Sequence, residues 1–260
     1  MPQLLRAPFC LGSTCDQAPQ PGKLPSQPNY VLVYKMAPQS KEDIDGVESL
    51  DVGLDHMKKP TLEDRMALAT TLAESLYYLH SVNFLHRRIT RWTVIFESGP
   101  LHEDLDCRRP ILSKFDFSKL GVLEKNKNKV VPLNAYNLYR HQDTLHQRIE
   151  QARSHDIFGL GVILIEVALW KRIENVIDKD SEDSQKWYPA LEKVNEDGDD
   201  LRPNMKAEVG TEYTNAVSCC IIGGERLGLP PDHAETEQDA IQVQEAFYNN
   251  VIQKLRRLTV

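Results

Sequence analysis

The amino-acid sequence predicts an α+β fold in which helices form most of the core. Two long segments show helical patterns, and several short β-prone stretches lie before and between them. The chain has 260 residues, of which 41% are hydrophobic and 27% are charged, so it is long enough to bury a sizeable core. This composition is typical of globular proteins and excludes disorder along the whole chain.

Two β-prone segments flank a proline-rich loop near the start of the chain. The segment APFCLG comes first, residues 13–29 contain four prolines, and NYVLVYKMAP follows. Residues 30–36 are apolar and β-prone and are stopped by Pro38, as a buried strand would be. We therefore predict a hairpin or a sheet edge here, whereas residues 39–60 are charged and show no clear pattern.

An amphipathic helix is predicted over residues 61–81. Thr61 and Asp64 stand at capping-box spacing at its start, with aspartate in place of the preferred glutamate. Apolar residues then recur every three to four positions, which indicates one buried stripe along the helix. The residues of this stripe are Leu62, Met66, Ala69, Leu72, Ala73, Leu76 and Leu79.

A second helix is predicted to lie in the middle of the protein. It is apolar almost all round from Ile157 to Trp170, and Ser154 or Asp156 can cap its start. A helix without a polar face must be surrounded by other elements. Between the two helices, short β-like stretches are expected at residues 82–86, 93–97 and 111–115.

The last third of the chain combines an acidic segment with further helices. Residues 178–200 contain nine acidic residues against three lysines and few large apolar groups, which predicts an exposed and mobile acidic insertion. Helical patterns follow at about residues 208–222 and 235–258.

Charge and cysteine content exclude several functional classes. The 31 lysines and arginines stand against 38 acidic residues, giving a formal charge of −7, so a nucleic-acid partner is not expected. No apolar run is long enough to predict a membrane span. The five cysteines include no C-x-x-C pair, which argues against a disulfide framework or a zinc site and favours a cytoplasmic protein. Cys219 and Cys220 are expected to be buried as small apolar residues.

Two motifs resemble the catalytic machinery of a protein kinase. The segment LHRRITRWTVIF is similar to the catalytic loop H-R-D-L-x-x-x-N, with His86 and Arg87 in place. The segment KFDFS at residues 114–118 resembles the strand and the D-F-G motif that follow in that family, with Ser118 in place of glycine.

Further motifs extend the resemblance over residues 30–258. YRHQD falls where A-P-E would be, and DIFGLGVILIE resembles the central-helix pattern D-x-x-S-x-G-x-x-x-x-E. The phrases D-F-S, S-H-D-I-F-x-L-G-V-I-L-I-E and AFYNNVIQKL are most similar to the fungal kinase-like domain found C-terminal to HeLo-type prion-inhibition domains. The resemblance implies a kinase-like domain at residues 30–260, mainly the helical C-lobe, preceded by an N-lobe remnant and proline-rich loop at residues 1–29.

The same resemblance implies that the catalytic loop is degenerate. Arg88 stands where the family has its catalytic aspartate, and Thr93 stands where it has the Mg²⁺-binding asparagine. A guanidinium has only donors and cannot accept a proton, and a neutral hydroxyl is a poor ligand for Mg²⁺. No glycine-rich loop and no V-A-I-K lysine precede residue 30. No catalytic residue is therefore expected in the degenerate loop, in which His86 is assigned a structural role.

Other family positions supply the remaining candidates. Asp116 is the candidate metal ligand. Asp156 resembles the carboxylate at the helix start that ties the backbone of the catalytic loop to the central helix in kinases, so it is assigned a structural role, as is Glu166. The candidates for nucleotide binding, at the gatekeeper and hinge positions, are Tyr34, Lys35 and Ala37.

These substitutions predict a pseudokinase, a kinase-like domain without phosphotransfer that serves as an interaction or regulatory module for a protein partner. No cofactor is expected, although the hinge and Asp116 leave ATP and Mg²⁺ open. One alternative is a divergent kinase that binds ATP and uses Asp116 with Glu97 or Asp104 as the base. Another is a fragment of a larger HeLo-type signalling protein. Arg87, Arg88 and Arg91 form either an anion site or solvated surface.

Overall fold

The computed structural model describes the chain in nine segments. Its described part is mostly helical with small antiparallel sheets, which confirms an α+β class. None of the helices in these segments is long and apolar enough to cross a membrane. The described residues are 9–16, 29–35, 46–98, 105–113, 133–145, 152–177, 184–195, 201–229 and 236–259.

The strands form two separate antiparallel sheets. The first pairs β1 with β2, from Asp16 opposite Asn29 to Phe9 opposite Lys35, which confirms the predicted hairpin. The second has the order β3-β4-β5. The strands are β1 (Phe9–Asp16), β2 (Asn29–Lys35), β3 (Gly46–Ser49), β4 (Val94–Ser98) and β5 (Ile111–Leu112).

Helices make up the rest of the described fold. They are α1 (Leu50–His56), α2 (Leu62–Ser81), α3 (Leu133–Asn137), α4 (Gln142–Leu145), α5 (Arg153–Leu169), α6 (Ser184–Glu192), α7 (Leu201–Ile222), α8 (Glu237–Phe247) and α9 (Gln253–Arg256). A π-helical turn, Tyr248–Ile252, joins α8 to α9. Short 3₁₀ turns lie at Ile173–Asn175, Lys193–Asn195 and Gly224–Leu227.

Helix α5 is the centre of the core, as its uniformly apolar sequence predicts. Every residue from Asp156 to Ala168 is buried, and α5 packs against α2 on one side and α7 on another. Helix α2 begins where predicted, because the Thr61 side chain accepts a hydrogen bond from the backbone N–H of Asp64. Its apolar stripe is buried except for Leu62, which is 49% exposed in the first turn.

Glycine allows α5 and α7 to approach closely. A Cβ atom at Gly161 would lie 2.8 Å from the Cβ atom of Cys220 and 3.0 Å from Ile221, so a larger residue would push the helices apart. Cys219 and Cys220 are buried at this contact, as predicted, and burial raises the pKa of both thiols. Helix α7 is interrupted at Gly210, where φ is 80°.

The start of α5 differs from the prediction. Neither Ser154 nor Asp156 is the N-cap, because the helix begins at Arg153 and Ala152 is the capping residue. Alanine has no acceptor, so His155 supplies the contact instead, and its Nδ1 accepts the Ala152 N–H at 2.9 Å. This leaves the Asp156 carboxylate available for other backbone groups.

Two of the three predicted β-like stretches are strands. β4 matches the second stretch, and β5 is the start of the third. Residues 82–86 form a turn and coil instead, because Asn83 adopts a left-handed conformation with φ of 57° that interrupts an extended chain.

Residues 39–60, which show no clear pattern, contain β3 and α1. β3 pairs with β4 from Gly46 opposite Ser98 to Ser49 opposite Ile95. Leu50 and Asp51 at the start of α1 are both buried. The sequence does not reveal these elements because both are short and carry charged side chains. β3 has 4 residues, and the 7 residues of α1 make fewer than two helical turns.

The acidic segment differs from the predicted exposed insertion in its described part. Residues 184–195 form α6 and a 3₁₀ turn, and their apolar side chains recur at a spacing of three. The buried side chains are Tyr188, Leu191 and Val194. The acidic composition of the segment concealed this short amphipathic helix, because an average over all its residues hides the few apolar side chains that lie on one face. The rest of the predicted insertion, residues 178–183 and 196–200, lies outside the described residues.

Candidate functional site

The loop at residues 86–93 is held to the start of α5 by one carboxylate. Asp156 accepts the backbone N–H of His86 and that of Arg87, each at 2.7 Å and each on a different oxygen. His80 Nε2 lies 3.2 Å from one of these oxygens. Arg87 has a φ of 65°, and the two charge-assisted hydrogen bonds stabilise that backbone conformation.

Gly159 allows the loop and the turn after α3 to approach α5. A Cβ atom at this position would lie 3.1 Å from the carbonyl oxygen of Ile89 and 3.2 Å from that of Tyr139. A side chain here would therefore press against both backbones at once. The glycine sets the depth at which the loop sits on the central helix.

The Thr93 hydroxyl is engaged within the turn. It accepts the backbone N–H of Thr90 at 2.9 Å and lies 2.8 Å and 3.2 Å from the carbonyl oxygens of Thr90 and Arg88. Thr93 is only 2% exposed. The turn therefore uses the single hydrogen of this hydroxyl and one of its two acceptor positions.

Arg88 is half-buried beside a small cavity. Its guanidinium carbon lies 5.4 Å from the centroid of the Tyr136 ring, which is a cation–π distance. The cavity holds about 40 Å³ and is lined by residues 87–90, by the segment 136–144 and by the first turn of α5. Within the described chain, the Arg88 guanidinium makes no hydrogen bond or ion pair.

Positive charge dominates the cavity wall. Among the described residues, Arg87, Arg88 and Arg140 line it together with one acid, Asp156, whose oxygens already accept the loop N–H groups. Arg140 donates to the carbonyl oxygen of Thr144 at 2.8 Å. Burial lowers the pKa of Arg140, and no acid among the described residues offsets that effect.

Thr90 contributes a second polar group to the same wall. The residue is 3% exposed, and its Oγ1 has no hydrogen-bond partner in the described structure. A buried hydroxyl without a partner costs free energy in a folded protein and is unusual in a native core.

Arg91 has the opposite environment from Arg88. Its Nε donates a hydrogen bond to Asp51 at 2.7 Å. Its Nη1 donates to Tyr139, Glu166 and Glu174, and its Nη2 donates to Glu174 at 2.7 Å. The side chain is only 4% exposed. Burial acts to lower the pKa of Arg91, but hydrogen bonding to Glu174 and the neighbouring negative charges outweigh it, so the pKa is raised.

The carboxylates around Arg91 outnumber the arginines. Asp51, Glu166 and Glu174 surround it, and Arg172, whose Nε lies 3.1 Å from Asp51, adds one further positive charge. Glu166 is fully buried, so burial raises its pKa to about 7, and the attraction of Arg91 reduces the shift without cancelling it. This cluster ties α1, the loop, α5 and the following 3₁₀ turn together, in keeping with a structural role for Glu166.

His86 lies inside the core beneath the loop. It is fully buried, and burial lowers its pKa to about 4 although Asp156 opposes that change. The ring is therefore neutral at physiological pH. This environment agrees with a structural role.

The side chains of the predicted nucleotide and metal candidates lie outside the part of the chain that the structure describes. Tyr34 and Lys35 lie on β2, of which the backbone alone is described. Ala37 and Asp116, with the rest of the KFDFS motif, lie outside the described residues. Among the residues that are described, no group of three or more His, Cys, Asp or Glu side chains could hold a metal ion.

Glu97, the alternative base, is on a different part of the surface. It lies on β4, burial raises its pKa, and the charges nearest to it are Arg109 and Asp106. It does not line the cavity beside Arg88. Asp104, the other alternative, lies outside the described residues.

Sequence reasoning missed several residues of this site. Asp51 and Glu174 were not singled out, because a carboxylate in a charged stretch carries no sign of its distant partner. Thr90 lies within the catalytic-loop motif, and Arg140 lies within YRHQD, but neither position suggested a cavity. The one usable signal was the density of arginines in the loop at residues 87–91.

The geometry thus defines a loop of arginines mounted on a buried central helix, and the chain can be placed in a family. A family model described as a domain of unknown function (DUF7580) matches residues 33–259, and the chain belongs to that family. A search of curated proteins found no match.

Proposed function

We propose that this chain is a pseudokinase, a kinase-like domain that lacks phosphotransfer and acts as an interaction or regulatory module for a protein partner. The attachment of the loop at residues 86–93 to Asp156 supports the kinase-like assignment, because this contact is the one that the motifs imply. The burial of α5 at the centre of the core supports it as well.

The single observation that carries the proposal is the environment of Arg88. Phosphoryl transfer to a hydroxyl needs a proton acceptor beside the acceptor oxygen, and Arg88 offers only donors. The one acid among the described residues that line this cavity, Asp156, is engaged by two backbone N–H groups. Thr93 is likewise engaged by the turn. The groups at these positions stabilise the loop and cannot act as a base or hold Mg²⁺.

The wider setting belongs to the same proposal. The chain is a C-lobe with a remnant of the N-lobe, acts in the cytoplasm, and is associated with HeLo-type signalling proteins of fungi. ATP and Mg²⁺ play no catalytic part in it. Its role would be to present a surface to a partner, as a folded but silent relative of an enzyme can do.

A phosphotransfer assay tests the proposal. Purified protein is incubated with radiolabelled ATP and Mg²⁺ or Mn²⁺, and an Asp116→Asn variant serves as the matched control. We expect the two proteins to give the same background, because Arg88 stands where the family has its catalytic aspartate and a guanidinium cannot take the proton. Turnover that the substitution abolishes would refute the proposal.

A thermal shift with Mg-ATP addresses the divergent-kinase alternative. A ligand at one hundred times its Kd stabilises a protein by about 2.7 kcal/mol, which is readily measured. We expect no Mg-ATP shift beyond that produced by Mg²⁺ alone. A clear shift together with turnover would favour the divergent kinase.

A further inference from the structure

The wall of the cavity beside Arg88 includes two guanidinium groups for which no described residue supplies a carboxylate. The Arg88 guanidinium makes a cation–π contact with Tyr136 and, among the described residues, no hydrogen bond or ion pair. Arg140 donates to one backbone carbonyl oxygen. Partly buried charged groups are normally paired, because removing a charge from water without providing a partner costs free energy. The two arginines therefore point to a negative charge that comes from outside the described chain.

Thr90 provides an independent indication in the same wall. Thr90 lines the cavity and is only 3% exposed. Its Oγ1 has no hydrogen-bond partner among the described residues. The backbone N–H of Thr90 is already satisfied by Thr93. The Thr90 hydroxyl can therefore still donate its hydrogen, and the oxygens of an anion can accept it.

The size of the cavity limits what can enter. Its volume of about 40 Å³ exceeds the ~10–15 Å³ that a cavity needs to hold one water molecule, and it is still small. A whole nucleotide does not fit in that space, whereas the oxygens at the end of a side chain do. The ligand is therefore an end group whose carrier remains outside.

We propose that this cavity binds an oxyanion, a phosphate or a carboxylate group at the end of a partner protein's side chain, held by Arg88, Arg140 and the Thr90 hydroxyl. Guanidinium groups suit this role because they bind such oxygens through charge-assisted hydrogen bonds. The inference rests on the proposed function, since it supplies the chemistry by which an interaction module would recognise its partner.

Calorimetric titration of the full chain tests this site. The probes are inorganic phosphate and three versions of one short peptide that carry phosphoserine, glutamate or serine at the same position, all at constant ionic strength. We expect the phosphoserine or the glutamate peptide to bind and the serine peptide to bind at least about tenfold more weakly. The stronger of the first two identifies the oxyanion.

Four variants of the cavity residues and one control variant locate the binding. Arg88→Gln and Arg140→Gln should each weaken binding at least about tenfold, and Thr90→Val should weaken it less, with recovery in Thr90→Ser. Arg257→Gln, an exposed arginine remote from the cavity, is the matched control and should bind as the unchanged protein does. Circular dichroism confirms that each variant is folded.

Three results would overturn the site. They are a lack of binding by every anionic probe, binding of inorganic phosphate without binding of either anionic peptide, and unchanged affinity in folded Arg88→Gln and Arg140→Gln. The phosphotransfer assay is run on the same preparations. Turnover there would refute the pseudokinase, whereas a failure to bind anions in a silent protein would refute only this site.

Discussion

Two arginines three residues apart in one loop have opposite surroundings. Arg91 points into the core, where three carboxylates and a tyrosine take up its donors, and it is 4% exposed. Arg88 lies beside a small cavity, and its guanidinium makes a cation–π contact but no hydrogen bond or ion pair within the described part of the chain. The comparison shows that one residue type in one motif serves stability at one position and leaves a charge available for binding at another.

The largest expected effect comes from removing the buried arginine. Arg91→Met leaves three carboxylates around a site in which only Arg172, beside Asp51, still carries a positive charge, and Glu166 among the three is fully buried. Breaking a buried ion pair by deleting one partner costs about 3–5 kcal/mol. We expect a loss of that order in the free energy of unfolding, measured by urea denaturation.

Arg88→Met is the matched control for that comparison. It replaces the same residue type by the same side chain but removes only a cation–π contact worth about 0.5–1 kcal/mol. Equal losses in the two variants would show that the contrast between the two environments has no energetic consequence.

The next effect is a pH dependence carried by Glu166. Its pKa is raised from 4.5 to about 7 in the folded protein, so the folded state holds a proton that the unfolded state releases earlier. The stability that Glu166 contributes is complete below pH 4.5 and is lost as the pH rises to about 7. We expect the free energy of unfolding to fall in this range relative to that of Glu166→Gln.

Urea denaturation of both proteins at several pH values gives this difference directly. The lowered pKa of His86 has the opposite sign, since its contribution is present above pH 6.5 and lost as the pH falls through about 4. Because His86 is present in both proteins, its contribution cancels in the difference. A difference that stays constant from pH 4.5 to 7 would contradict the assigned environment of Glu166.

The smallest effect sharpens the description of the cavity. Thr90→Val replaces a buried hydroxyl that has no partner by a methyl group of similar shape. In the absence of an anion we expect the free energy of unfolding to stay unchanged or to rise by up to about 1 kcal/mol. A loss of more than about 1 kcal/mol in thermal or urea denaturation would mean that the hydroxyl already has a structural partner.

The two long helices could be predicted from the sequence because their signals are local. The cap of α2 needs only Thr61 and Asp64, three residues apart, and its apolar stripe follows from helical spacing. The burial of α5 follows from the absence of a polar face. By contrast, α6 was hidden by acidic neighbours, and α1 was too short to show a period.

The site could be predicted only in part, because its contacts join distant segments. The motifs indicated the loop and Asp156, which lie 70 residues apart at the contact with His86. No pattern indicated that Arg91 would meet Asp51, 40 residues before it, and Glu174, 83 residues after it. The assignment of Arg91 to an anion site or to solvated surface was therefore wrong, since it is buried and paired.

The sequence by itself determined where the central helices run and which residue types occupy the loop, because capping, periodicity and side-chain chemistry act over a few residues. It also determined that position 88 carries a permanent positive charge. Tertiary structure alone decided that carboxylates surround Arg91 and that no described carboxylate pairs with Arg88. That outcome depends on which carboxylates reach within hydrogen-bonding distance, and the packing of α1, α5 and the turn after α5 sets those distances.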